Sequence, residues 1–382
     1  MHPSSYGGLG TLTTPTGFSV ADIRKLGDFP DYARLSGIRL PEAYLQYDVN
    51  KSTPRPYRPF RWPHHQTMSL KKFEPDYWVE LDRNYVRNVR KRQALYVKYG
   101  PAVLDVVQGY EYAAKELMEM VVQFICARYP HCFTLEISET REILCNKILN
   151  TQTDLKATAP LIVLLNNVPE DFTIMIRNEE NGQYYLRGGT VMTSFGWTVA
   201  TKINRPLNEI HEHVPLYKEK MLLSMNRFFA NLPTERAIQR GSWTLTPGQV
   251  LFTPPDHPRL SDSTFGEQLK VEDIHFRLDV QTVRRLPLSG AIVFDFRVLF
   301  TPLPTFRDEP FIPKLCLKFL EEGPVELNKG TYMVEHIAIP ALRQWHEEQV
   351  KTGLVPKNWE VSTLEDSPFF PGWKNKWARE QE

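Results

Sequence analysis

Cysteine is scarce in this chain: Cys126, Cys132, Cys145 and Cys316 are the only four among 382 residues, and no two form a CxxC pair. Those spacings exclude a disulfide framework, a structural zinc site and a four-thiolate iron–sulfur cluster. Charge of one sign is also lacking, with 46 basic residues against 45 acidic. An electrostatic nucleic-acid binder would need a basic excess. No apolar run approaches the ~20 residues of a membrane span, and the opening "MHPSSYGGLGTLTTPTGF" has neither a basic nor an apolar leader region. No Gly-rich phosphate loop follows a strand, "RGGT" is not a P-loop, and no GxSxG is present, so nucleotide-binding and serine-hydrolase readings lack support. The expectation is a soluble protein of a reducing compartment, the cytoplasm.

What is present is a core-forming composition, 42% hydrophobic and 12% aromatic. Residues 1–66 are rich in Pro, Gly, Ser and Tyr and end in "KSTPRPYRPFRWPHH". We read them as an extended arm laid on the domain, with Tyr57, Phe60 and Trp62 as anchors. Residues 67–345 form the domain proper and 346–382 a tail. Two helical stretches follow the arm, 74–100 ending at Gly100 and 101–130 opening on Pro101. From Pro160 to Trp197 the pattern reads as strands, with "EENG" turning one hairpin. A helical face over 215–232 carries Leu216, Met221, Leu222, Met225, Phe228 and Phe229. "IHFRLDVQTVRRL" and "SGAIVFDFRVLFTPL" form an antiparallel pair joined by "PLSG". Helices return from about 310 to 352. The order is that of an α+β fold.

His211 and His213 in "NRPLNEIHEHVPLYKE" are the chemical question. On a strand both would face one side, as in an HxH metal site of the cupin kind, but Glu219 is one residue too far for that pattern. On a helical turn they point about 200° apart, and the flanking Pro206 and Pro215 favour that geometry. One histidine then points inward. Residue spacing alone leaves a metal ligand, a haem ligand, a catalytic base and a packed core histidine all open.

Several segments match a known family in order: "YRPFRW", "WVELDRNY", "APLIVLLNNVPEDFTIMI", "KINRPLNEIHEHVPLY", "RFFANL" and "QTVRRLPLSGAIVFDFRVLFTPL". Across residues 54–345 the chain resembles the haem-dependent oxidative N-demethylases, in particular fungal-type members. The resemblance implies a PAS-like antiparallel sheet with flanking helices, cradling haem b. It implies oxidation of a small secondary amine by O2 at the haem, with loss of formaldehyde and electrons from a separate NADPH-dependent reductase. A haem-binding sensor or carrier is the alternative.

The axial position of the family falls on His211, and His213 stands where proline is usual. The resemblance assigns the amine-facing or proton-relaying carboxylate to Glu170, with Asp171 second, and it places Gln281 among the catalytic groups. Arg277, Arg284 and Arg285 are implied as cofactor-binding residues, the last two as propionate partners. Val280 departs from a usual arginine, which predicts a substrate shifted toward a specialised metabolite. Thr198 and Ser69 depart from a usual arginine and glycine.

Overall fold

The structure is a computed structural model that describes residues 13–64, 70–212, 214, 216–256, 269–323 and 334–382. His213 and Ser69 lie outside the described residues. Ten strands are present among those described: β1 Lys71–Lys72, β2 Leu104–Val106, β3 Phe133–Ile137, β4 Glu142–Asn146, β5 Thr151–Asp154, β6 Asp171–Arg177, β7 Tyr184–Thr190, β8 Ile238–Pro247, β9 Ile274–Arg285 and β10 Ile292–Pro302. Seven form one antiparallel sheet in the order β1-β8-β9-β10-β6-β7-β2, and β3-β4-β5 form a small second sheet. The α+β class with an antiparallel sheet and flanking helices is what the sequence order implied.

The β9–β10 hairpin forms where alternation and "PLSG" place it, with Arg285 opposite Ile292. Gly290 turns it at φ 65°, and a Cβ there would lie 2.8 Å from Pro15 of the arm. The position therefore needs glycine for both its backbone and its close neighbour. The β6–β7 hairpin likewise turns over residues 178–183.

Three elements differ from the sequence reading. Pro160–Asn167 is a helix, not a strand. Pro160 occupies its first turn and its apolar residues are buried nearly all round, which hides the 3.6-residue period. The helix expected over 74–100 begins only at Tyr85, because Trp78, Val79 and Leu81 are buried in an irregular segment ahead of it. Residues 104–106 of the next stretch pair at the sheet edge, and its helix runs Glu111–Arg128.

The two sheet faces bury different layers. Phe172, Ile174, Ile176 and Val293 pack on the helices Tyr85–Tyr99, Glu111–Arg128 and Pro160–Asn167. Met175, Val283 and Ile292 face the helix Leu222–Asn231, which buries Met225 and Phe229. Each such buried side chain contributes about 1.5–3 kcal/mol. Leu216, expected on the same helical face, is instead exposed at φ 56°, just outside the helix Tyr217–Lys220.

Arm and tail meet at one end of the sheet. Tyr57 and Phe60 are buried against β8, β9 and the C-terminal helices. The Arg58 amide donates to the Pro368 carbonyl at 2.5 Å, the Thr363 amide to the Trp62 carbonyl at 3.1 Å, and the Trp377 indole to the Thr53 carbonyl at 2.8 Å. Below them Arg58 pairs bidentately with fully buried Glu309 at 2.7 and 2.8 Å.

Candidate functional site

The helix Leu207–Ile210 follows Pro206, and His211 is its C-cap. At this cap the imidazole folds back, and its Nδ1 lies 2.8 Å from the Leu207 carbonyl oxygen. A carbonyl only accepts, so Nδ1 carries the proton and Nε2 keeps its lone pair. The ring stacks on Tyr217 with centroids 4.6 Å apart. Burial pushes the imidazole pKa down to about 4, with Lys202 and Arg240 adding to the effect against the Leu207 contact. His211 is thus a neutral imidazole, held in one tautomer and one orientation.

It lines a cavity of about 600 Å³ on the β9 face that looks toward the helix Leu222–Asn231. Met175, Leu186, Met221, Met225, Phe294 and Phe296 provide the apolar walls, and Trp197, Trp243 and Phe319 close other sides. The volume falls in the range of small-molecule and cofactor sites. Arg240, Gln281 and Phe296 are register partners across β8, β9 and β10, so their side chains share this face. Thr173 and Gln281 are neutral polar groups of the wall, and Arg61 and Arg240 are cationic ones. Among the described residues no carboxylate lines it.

Of the described residues to which the sequence assigned chemistry, the structure brings His211 and Gln281 to this cavity and leaves Glu170, Asp171, Arg277, Arg284 and Arg285 elsewhere. Glu170 is fully buried on the opposite sheet face and accepts from the Glu80 amide at 3.1 Å. Burial, opposed by Arg297, raises its pKa to about 8. Asp171 is consumed by an ion pair with buried Arg92 and by the Met192 and Thr193 amides at 2.9 and 2.7 Å. Neither can face an amine in the cavity.

Arg284 is not a propionate partner here either. It lies on the far face over the Trp78 ring at 4.3 Å, and burial holds it down to about pKa 10. Arg285 is occupied by the carbonyls of Leu232, Gly290 and Phe229 and by the Tyr184 hydroxyl, tying the helix Leu222–Asn231 to the sheet. Arg277 holds the carbonyls of Val250, Leu251 and Thr193 and pairs with Asp279. The reason is common to all three: matching a strand motif places a residue in sequence but does not say what packs above its face.

Val280 also changes meaning. It sits between Gly241 and Arg297 in register and lines a small gap with Thr282 and Asp295, on the face away from His211. Thr198 is the N-cap of the helix Val199–Lys202.

A family model described as haem-dependent oxidative N-demethylase, alpha subunit-like, matches residues 69–338. The chain belongs to this family. A haem would ask of this cavity a neutral nitrogen donor, an apolar slot and cations for its carboxylates, and residues of each kind line it. His211 presents Nε2, the methionines and phenylalanines form the slot, and Arg240 has a buried Nε without a hydrogen-bond partner. Sequence reasoning missed Arg61 and Arg240. Arg61 belongs to "YRPFRW", which reads as an anchoring arm, and Arg240 lies on β8 outside any quoted motif. Period-2 alternation places Arg240 beside Ile238 and Ser242 on one face, but it does not reveal that the face is hollow.

Proposed function

We propose that this protein is a haem-b-dependent oxidoreductase that removes a methyl group from a small N-methyl amine, using O2 and electrons from a separate NADPH-dependent reductase. The observation that carries the reading is His211, whose Nδ1–H is committed to Leu207 and whose Nε2 is left as a ligand on the wall of the apolar cavity. Bound haem supplies the oxygen and electron chemistry, and the protein supplies orientation and polarity. The antiparallel sheet under that cavity is the cradle of a PAS-like arrangement.

This chain's own residues do the rest. The Leu207 carbonyl fixes the imidazole tautomer and raises its basicity as a donor. Met175, Met221, Met225, Phe294 and Phe296 exclude water, which strengthens the remaining polar contacts. Thr173 and Gln281 are the groups placed to hydrogen-bond a substrate nitrogen or oxygen. With no carboxylate among the described lining residues, the amine binds as its neutral base. Glu170 and Asp171 act on the fold and leave the reacting amine to Gln281 and Thr173.

The test is an absorption titration of the purified chain with hemin, ferric and then reduced, with and without CO. A stoichiometric Soret band that shifts with CO is expected, together with turnover of an N-methyl amine once a reductase is supplied. Absence of a Soret band would overturn the reading.

A further inference from the structure

Arg61 and Arg240 are the unexplained cations of the cavity. Neither makes a hydrogen bond or ion pair with any described residue, and the buried Arg240 Nε has no acceptor. They are close enough to repel: burial first, and then the Arg61 charge, lower the Arg240 pKa. Two neighbouring guanidiniums without partners or lining carboxylates among the described residues are unfavourable unless an anion joins them. Guanidinium forks match carboxylates.

We propose that Arg61 and Arg240 form a clamp for the two propionates of the haem, which makes the N-terminal arm part of the cofactor site. The proposal rests on the haem reading above. Arg61 precedes the span matched by the family, so the clamp is half supplied from outside it. The arm is held for this role. Arg58 is locked on Glu309, the Trp62 amide donates to Thr363 Oγ1 at 3.0 Å and the Trp62 carbonyl accepts from the Thr363 amide at 3.1 Å. On the β8 side Gly241, next to Arg240, lets Tyr57 approach to where a Cβ would be 2.7 Å from its ring. Arm and strand are thereby packed together at the residue that follows Arg240.

The experiment compares hemin with its dimethyl ester, which keeps the iron and macrocycle but has no carboxylates. Both are titrated into the full-length apo-protein and followed by Soret absorbance, for wild type, Arg61→Gln and Arg240→Gln. Wild type should bind hemin roughly ten- to hundred-fold tighter than the ester, the size of losing one or two charge-assisted hydrogen bonds. Each variant should lose roughly ten-fold for hemin and nothing for the ester. Equal affinity of wild type for both cofactors overturns the clamp, and so does a variant that melts like wild type yet weakens both alike. The wild-type comparison needs no variant, so a misfolded variant leaves the test intact. Failure of wild type to bind either cofactor would overturn the haem reading itself, a result distinct from binding without discrimination.

Discussion

The two faces of the seven-stranded sheet use buried charge in opposite ways. Away from the cavity, Glu80 is held by Arg55 and Arg297, Asp171 by Arg92, and Glu170 and Asp295 lie beside Arg297. Burial pushes Glu80 up, but the two arginines outweigh it and hold its pKa below the ordinary value. Arg284 has no carboxylate, and the Trp78 face takes that place. In front of the sheet, Arg61 and Arg240 have nothing of the kind. Charges already satisfied by the chain hold the fold; charges left unsatisfied around a cavity mark what the chain is built to receive. By this measure strand motifs alone mislead: Asp171 meets Arg92, Glu170 lies beside Arg297 and Arg284 on Trp78, although Glu170 Oε2 and Arg284 Nε keep no hydrogen-bond partner among the described residues.

The sharpest way to break the comparison is to unpair one back-face charge. Arg92→Ala should cost about 3–5 kcal/mol by leaving Asp171 buried and uncompensated. Denaturant melts check this, and the Soret position of the protein that remains folded should not move. His211→Ala should do the reverse, with hemin affinity falling by more than the 10–100-fold of a supporting contact while the melt changes little. Retained hemin occupancy would remove His211 as the ligand.

Gly241→Ala comes next. Its methyl would strike Tyr57 and Pro59, at 2.7 and 3.1 Å, so about 1–3 kcal/mol of overpacking is expected. Because the arm carries Arg61, hemin should also be released faster, which stopped-flow transfer to an apo-acceptor measures.

The smallest effects are titrations. Glu170 has a folded pKa of about 8 against an ordinary 4.5, so the folded chain binds the extra proton between those values. Stability is therefore greatest below about pH 4.5 as far as this group is concerned, and it declines as pH rises toward 8. Buried Glu116, raised to about 7, adds a decline of the same sign. Glu170→Gln should flatten the slope between pH 5 and 8 in pH-dependent melts. His211 runs the other way. Its depressed pKa keeps it unprotonated at neutral pH, so hemin uptake should hold as pH falls through 6.5 and fail only on approach to 4. A loss centred on 6.5 would contradict the buried imidazole.

Legibility from sequence followed the range of the physics involved. Alternation and a four-residue turn are local, so the β9–β10 hairpin was readable from residues 274–302. Proline flanks are local too, and they favoured a helical turn with one inward histidine, where the structure has His211 as the C-cap of Leu207–Ile210. The 160–167 run was not readable, because a helix buried on nearly all sides presents the same apolar string as a core strand. Nor was the fate of Glu170 or Arg284. Whether a strand residue meets solvent, a helix or a cavity depends on partners such as Glu80 and Trp78, each far away along the chain. Arg61 shows the same limit from the other side, since only the fold reveals that an arm residue looks into the cavity.

The crossing of arm and tail carries a consequence for biosynthesis. Residues 59–64 leave the ribosome early, yet the Thr363, Pro368 and Trp377 contacts that fix the arm arrive some 300 residues later. The pocket wall is not fastened until residues 363–377 are available, even after β10 has completed the sheet. A chain stalled before Thr363 would accordingly present an assembled sheet with its pocket still unlatched.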